Sequence, residues 1–373
     1  MSEQVSQSIA DQINAERIKG ALAASGTEVP QNWSQLSVHL EEQGLYLDLD
    51  IQPMQFASGF GNLNYLIKLD DSLAVLRRPP MGPIPPGAND MRRENFILSR
   101  LPGAYPLAPR ALHYCESPDV LGAHFLIMEY RPGLIISSEV PKAVLQDWRE
   151  PQPLGECLSE HLISALAKLH QVDPKAIGLD KLGKPEGFVP RTVKGWCTRA
   201  ELAWENNLPS ALTRVIAWLQ GNQPEDLASC FIHNDFKLDN MILDPSSLQP
   251  MAVIDWDMGT QGAPLYDLAV LLSYWTEAGD PDCMHVLKQM PTADHGFLSR
   301  EAVALRYAEL TGTSLQHLKF FRVLASLRIA VVFRQLYCRY QEGGAENMRY
   351  AQFDELSAQL AEFGLSVIEN KAF

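Results

Sequence analysis

The sequence predicts an α+β fold divided into two lobes, and two observations carry that prediction. Between about residues 45 and 130, short stretches such as "YLIKL" and "LAVLRRP" alternate apolar and polar residues, the period-two mark of half-buried strands. From about residue 155 the apolar residues recur at helical spacing, as in "LSEHLISALAKLHQV" and "PLYDLAVLLSYW". The change of period follows "RPG" at 131–133, which reads as a hinge. The expected lobes are therefore residues 1–130, small and built on an antiparallel sheet, and residues 131–373, larger and mostly helical.

Within the first lobe, Ile9, Ile13, Ile18 and Leu22 predict a leading helix over 8–22, and "LYLDLDI", "YLIKL" and "LAVLRRP" follow as strands. "NDMRRENFILSRLPG" has an Asn or Asp cap and a Gly stop, the marks of a helix, and "RALHYCE" and "HFLIMEY" return to strands. The proline-rich "RRPPMGPIPPGAND" reads as an extended loop. In the second lobe the helices, "SALTRVIAWLQ" among them, are interrupted only by short strands in "CFIH", "MIL" and "MAVIDWD". No fixed-period repeat or low-complexity tract appears.

Composition bounds the function. At 373 residues and 46% hydrophobic, each lobe can bury a core of its own. A net charge of −14, without any basic run, argues against nucleic acid as a partner. The six cysteines lie more than thirty residues apart with no C-x-x-C pair, which fits reduced thiols in a cytoplasmic protein. The N-terminal "MSEQVSQSIADQINAERIKG" lacks the apolar core of a signal peptide, and the apolar stretch "VLASLRIAVVF" is interrupted by Arg328, so neither export nor a membrane span is expected.

Polar chemistry concentrates in "FIHNDFKLDNMILD", residues 231–244. His233, Asp235 and Asp239 are conceivable metal ligands, but one His among scattered acids lacks the spacing of a zinc site. The spacing H-x-D-x-x-x-x-N meets the needs of phosphoryl transfer: Asp235 accepts or orients a hydroxyl proton, and Asn240 reaches a magnesium ion. Fifteen residues on, "VIDWD" places Asp255 at the end of an apolar strand, where a second magnesium ligand belongs. Either half alone also reads as a polar turn closing a hairpin; the two together favour phosphoryl transfer.

"HNDFKLDN" followed by "VIDWD" and "PLYDLA" resembles the aminoglycoside phosphotransferase and choline kinase-like family, which shares the protein-kinase fold; the resemblance covers roughly residues 45–345. "GFGNLNYLI", "VLRRPP", "RREN", "LHQVDP" and "SLRIAVVFRQLYCR" resemble the branch of kinase-like domains fused to, or encoded beside, acyl-CoA dehydrogenases. The resemblance implies a bilobal fold, ATP and Mg2+ as cofactors, and transfer of a phosphoryl group to the hydroxyl of a small molecule, in this branch a hydroxyacyl-CoA or hydroxy acid. It makes Asp235 the catalytic base, Asn240 and Asp255 the metal ligands, and Lys237 the cation that neutralises the γ-phosphate. His233 would hold the loop by hydrogen bonds, Asp239 would be solvated, Asp267 of "PLYDLA" would tie the loop down, and the role of Asp257 stays open. An aminoglycoside- or choline-type kinase, or a nucleotide-binding pseudokinase, are the alternatives, and the oligomeric state is open, a homodimer among the options.

In the small lobe the resemblance puts Gly59, Gly61 and Asn62 of "SGFGNLN" against the nucleotide, with Asn64 where the third glycine of a G-x-G-x-x-G turn would stand. The phosphate-gripping lysine is replaced by Arg77, or by Arg78, since strand parity is not readable, with Glu94 as its ion-pair partner. Glu129 and Arg131 of "LIMEYRPG" would meet the adenine edge. The late "FFRVLASLRIAVVFRQLYCR", where this family builds its acceptor site, carries Arg322, Arg328, Arg334 and Arg339 and no acid. Arg328 and Arg339 fall on nearly the same helical face, roughly 16 Å apart along the axis, which suits two anionic groups of one long ligand. The other reading, that these arginines pair with acids of neighbouring helices, stays open.

Overall fold

The alternating stretches of the first lobe pair as one antiparallel sheet. Strands β1 (Met54–Gln55), β2 (Leu63–Leu69), β3 (Ser72–Arg78), β4 (Ala111–Cys115) and β5 (Phe125–Glu129) lie in the order β1-β2-β3-β5-β4. Only Asp70 and Asp71 join β2 to β3, and Asp70 takes the positive φ of 51° that so tight a turn asks for. The computed structural model of the chain describes residues 11, 21–23, 28–57, 62–80, 89–225, 228–343 and 348–373, with 348 and 349 by backbone alone. The helix expected over 8–22 and residues 81–88 of the proline-rich loop fall mainly or wholly outside these.

One face of the sheet presents Tyr65, Ile67, Leu69, Ala74, Leu76, Phe125 and Ile127, which pack with Leu36 and Leu40 of helix α1 (Trp33–Glu42). Helix α2 (Met91–Leu98) begins where expected, at Asp90, whose side chain accepts from the Arg93 amide at 3.0 Å. It buries Met91, Glu94, Ile97 and Leu98. The stretch "LYLDLDI" does not become a strand. Only Leu47 bridges to Leu69, because Asp48 is drawn to Lys68 at 2.6 Å and the Asp50 amide turns back onto Asp48 at 3.0 Å.

The chain divides into two compact units, residues 1–134 with 251–259, and residues 135–250 with 260–373. The sequence assigns 251–259 to the helical lobe, and the structure corrects this. The Val253 amide donates to Leu107 O at 2.7 Å, Trp256 packs edge-on against Tyr105 with ring centroids 5.9 Å apart, and the Trp256 amide donates to Glu94 Oε1 at 3.3 Å.

The second unit is helical: α3 (Leu154–His170), α4 (Phe188–Ala203), α5 (Ser210–Gly221), α6 (Pro264–Ser273), α7 (Arg300–Thr311), α8 (Leu318–Gln341) and α9 (Phe353–Ile368). Two short strands, β6 (Cys230–Ile232) and β7 (Thr260–Gly262), pair antiparallel with Ile232 opposite Thr260. Helix α8 is buried nearly all round from Leu318 to Val331 and packs against α4, α6 and α9, as an apolar girth requires. Arg322 and Arg328 lie inside that stretch. All six thiols are free, and among the described residues no helix is long and apolar enough to cross a membrane.

One pair in the first unit couples its stability to pH. His39 Nε2 of α1 lies 3.0 Å from His113 Nε2 of β4, so the contact works only when one ring donates and the other accepts. Burial, aided by His39, holds His113 below the ordinary imidazole value. The folded state thus resists a proton that the unfolded chain accepts near pH 6.5, and stability falls as pH drops below about 6.5. Urea unfolding at pH 7 and pH 5 should show a smaller acid loss in His113→Gln than in the wild type; an equal loss would contradict the assignment.

Candidate active site

In the second unit, the loop after β6 is organised by one carboxylate. Asp267 of α6 is fully buried; its Oδ2 accepts from the His233 amide at 2.7 Å and its Oδ1 from the Asn234 amide at 2.7 Å. Oδ2 also lies 3.1 Å from His170 Nε2, and His170 Nδ1 lies 2.6 Å from Tyr307 Oη. The sequence reading of Asp267 as the tie for this loop agrees with these bonds. His233 is likewise buried, and its Nδ1 accepts the Asp235 amide at 3.3 Å. Asn234 turns the chain with φ 69°.

Asp235 emerges from this loop among donors. Its Oδ1 accepts from Tyr274 Oη at 2.6 Å and from Arg328 Nη2 at 3.1 Å. Its Oδ2 lies 3.6 Å from Lys237 Nζ and 3.4 Å from Asn240 Nδ2. Burial alone would raise the Asp235 carboxyl; Lys237, Arg328 and the Tyr274 hydroxyl outweigh it and hold it well below the usual carboxylate range. Tyr274 is pushed up to about 12, chiefly by burial, so it keeps its proton and donates. Asn240 donates to Asp235 O at 2.9 Å, which makes its amide oxygen the atom left for a cation. Asp239, read as solvated, in fact lies 3.3 Å from Lys237 Nζ.

Of the α8 arginines expected at an anion site, Arg328 is engaged by groups of the protein and Arg339 is exposed. Arg328 is 3% exposed, and besides Asp235 it donates to Tyr274 Oη at 2.8 Å and Asn234 O at 3.1 Å. Arg339 stands exposed in the last turn. Arg334 pairs with Asp354 of α9, and Arg322 donates to Phe373 O at 2.8 Å, its guanidinium pushed down to about 9 by burial. Pairing with neighbouring acids, the other reading left open by the sequence, describes Arg328 and Arg334.

The first unit contains the second cluster. Strand alternation puts Arg78 on the face of Ala74 and Leu76, where it donates to Gln31 Oε1 at 2.6 Å and Leu121 O at 2.5 Å. Arg77 therefore faces the other way. Its Nε lies 2.8 Å from Glu94 Oε2, an ion-pair contact more than an aligned hydrogen bond, its Nη2 donates to Asp255 Oδ1, and Asp257 Oδ2 is 3.8 Å away. Burial opposes its charge, but Asp255, Glu94 and Asp257 outweigh that, so Arg77 holds its proton more tightly than a free guanidinium. Burial likewise pushes the Glu94 carboxyl up, with Arg77 pulling against it. Asp255 adopts φ 70°, a left-handed conformation that few side chains accept.

The remaining expected residues of this unit are spread along the sheet. Asn62 is buried just before β2 and accepts from Asn89 Nδ2 at 2.9 Å, and Asn64 stands directly opposite Arg77 across β2 and β3. Gly59 and Gly61 lie outside the described residues. Glu129 closes β5, and its carboxylate meets Arg131 Nη2 at 3.1 Å. Tyr274, His170 and Tyr307 were missed by sequence reasoning. His170 stands in the quoted "LHQVDP" without a role attached, and Tyr274 in "LLSYW" reads as a core aromatic.

Residues 53–300 match the family model described as "APH: Phosphotransferase enzyme family". Among curated relatives, mouse acyl-CoA dehydrogenase family member 10 is 28% identical over 322 residues, covering 86% of this chain and 29% of that protein. Chicken acyl-CoA dehydrogenase family member 11 is 29% identical over 327 residues, covering 86% of this chain and 40% of that protein. The chain thus spans well under half the length of these relatives. Among solved structures, a Ralstonia eutropha JMP134 protein assigned as an aminoglycoside phosphotransferase covers 92% of this chain and 100% of its own, with 22% identity and a TM-score of 0.72. The aminoglycoside phosphotransferase APH(4)-Ia, solved as a ternary complex with AMP-PNP and hygromycin B, shares 16% identity at a TM-score of 0.56, over 88% of this chain and 98% of its own. These likenesses establish an α+β, kinase-like fold.

The tie at Asp267 sets a measurable expectation. Asp267→Ala removes the acceptor that the His233 and Asn234 amides share, one buried and one half-buried, at about 1–3 kcal/mol each. Chemical denaturation should therefore show a loss of at least about 2 kcal/mol; a variant as stable as the wild type would mean that the loop is held by other contacts.

Proposed function

This chain belongs to the phosphotransferase enzyme family, and from that premise we propose that it moves the γ-phosphoryl group of ATP, with magnesium, onto a hydroxyl of a small molecule. The observation that carries this reading is the buried trio of the first unit: Arg77 bound at once to Glu94 and Asp255. Arginine there grips phosphate oxygens through a planar fork, and Glu94 aims it, the roles that a strand lysine and helix glutamate play in kinases. The Asp235, Asn240 and Asp255 set favours turnover over a nucleotide-binding pseudokinase, whereas arginine in place of lysine is the one feature that favours the pseudokinase.

In the second unit, Asp235 is the base for the acceptor hydroxyl, held ionised by its neighbours, and Lys237 is the cation for the transferring phosphoryl group. From the motif roles, Asp255 and Asn240 would each be a magnesium ligand, and the ion, when bound, neutralises charge on the phosphoryl oxygens. Their chemistry fits a hard cation. Asp255 leaves Oδ2 free of Arg77, and magnesium, which keeps waters and phosphate oxygens as ligands, does not need a cage of acids; among the described residues no group of three His, Cys, Asp or Glu forms one. The adenine would lie along Glu129 and Arg131, with Asn62 nearer the phosphates.

For the acceptor we favour a hydroxyacyl thioester or hydroxy acid. The support is the name that the relatives carry, acyl-CoA dehydrogenase family member 10 or 11, and not the arginines of α8, since Arg328 is committed to Asp235. ADP formation from ATP and magnesium, measured across hydroxyacyl-CoAs, free hydroxy acids, choline and kanamycin, tests the choice. Turnover with the acyl compounds is expected; turnover with kanamycin alone would overturn it.

Two variants probe the roles. Asp235→Asn should lose kcat by roughly 10²–10⁴-fold while nucleotide affinity holds, and a near-normal kcat would remove Asp235 from the chemistry. Asp255→Ala should lose magnesium-dependent nucleotide binding in calorimetry, whereas Asp257→Ala, whose carboxylate only approaches Arg77 at 3.8 Å, should be milder. Equal losses would make Asp257 a metal ligand too.

A further inference from the structure

We propose that Tyr274 and Arg328 are positioning residues for the base: together they hold Oδ1 of Asp235, so that Oδ2 is the oxygen presented to the acceptor. The inference rests on the phosphotransfer reading and deepens it. A carboxylate free to turn about its last torsion offers either oxygen in either plane. Here Oδ1 receives the Tyr274 hydroxyl at 2.6 Å and Arg328 Nη2 at 3.1 Å, while the contacts to Oδ2, from Asn240 and Lys237, are 3.4 Å and 3.6 Å. The clamp closes on itself, because Arg328 Nη1 also donates to Tyr274 Oη at 2.8 Å and its Nη2 to Asn234 O at 3.1 Å, which ties the tyrosine and the loop backbone to the same guanidinium as the carboxylate.

Two features separate this from simple structural pairing. Among the described residues no acceptor meets the buried Nε of Arg328, whereas both Nη atoms are aimed at Tyr274, Asp235 and the Asn234 carbonyl. A buried ion pair is also seldom more stabilising than an apolar side chain of the same size, so stability alone does not explain a guanidinium inside the apolar stretch of α8. In the step served, the acceptor oxygen bonds to the γ-phosphorus as the bond from that phosphorus to the β–γ bridging oxygen breaks, leaving ADP. The hydroxyl proton passes to Oδ2 and then to solvent. In this assignment Tyr274 and Arg328 act through Asp235, the group that both of them bond.

The test compares kcat and KM of Tyr274→Phe and Arg328→Lys in the wild-type and Asp235→Asn backgrounds, on the best acceptor of the panel, with urea midpoints as a control for folding. In the wild-type background each variant should lower kcat on the order of 10- to 100-fold, the scale of an ångström of misplacement, with KM for ATP unchanged. In the Asp235→Asn background the further loss should largely vanish, which a merely structural role would not produce. Equal losses in both backgrounds, an unchanged kcat in Tyr274→Phe, or a raised acceptor KM with intact kcat in Arg328→Lys would each overturn the clamp. Absence of ADP formation by the wild type with every acceptor would overturn the phosphotransfer reading itself, before any variant is compared.

Discussion

A carboxylate withdrawn from water has to be given donors, and in the second unit the loop that leads into Asp235 takes its shape from that requirement. Asp267 is fully buried and receives the amides of His233 and Asn234, the two residues that lead into Asp235. An amide pair bound to one carboxylate cannot shift independently, so the backbone ahead of Asp235 is fixed from a neighbouring helix. His170 and Tyr307 extend the support to α3 and α7. The same rule, with signs exchanged, shapes the first unit, where the buried Arg77 is balanced by Glu94 and Asp255. Breaking a buried pair by removing one partner costs about 3–5 kcal/mol, so such clusters are rigid as well as charged.

Rigidity of this kind lets the backbone hold conformations it would otherwise leave. Asn234 at φ 69° and Asp255 at φ 70° are both left-handed, a region that costs of order 1–3 kcal/mol when a side chain is present. Each flanks or carries a residue assigned to the chemistry. In both units the local hydrogen bonds and ion pairs over-determine the strained residue, the condition for placing a functional group before any substrate arrives.

The sequence made legible those features that depend on near neighbours in the chain. The H-x-D-x-x-x-x-N spacing, the cap at Asp90 and the strand pairs β2–β3 and β4–β5 all arise within a few residues of one another. Choosing Arg77 over Arg78 was beyond it, because Leu73 to Leu76 are apolar on both faces of β3 and leave no alternation to count. The partners of Asp235 were hidden for a different reason: Tyr274 and Arg328 reach it across 39 and 93 positions of chain, and each reads locally as part of an apolar helix. Asp48 shows the reverse failure, an alternating stretch whose ion pair with Lys68 and turn at Asp50 prevail over strand pairing.

The return of residues 251–259 to the first unit has a consequence for how the chain is made. All of residues 135–250 must leave the ribosome before the first 134 receive the last piece of their unit, an interval on the order of ten seconds at ordinary rates of synthesis. During that time Tyr105 lacks the Trp256 indole, Leu107 lacks the Val253 amide, and Arg77 has only one of its two closest acids. The nascent N-terminal unit therefore waits with Arg77 paired to Glu94 alone and with an uncovered aromatic, and a fragment ending at Leu134 would keep that unfinished state permanently.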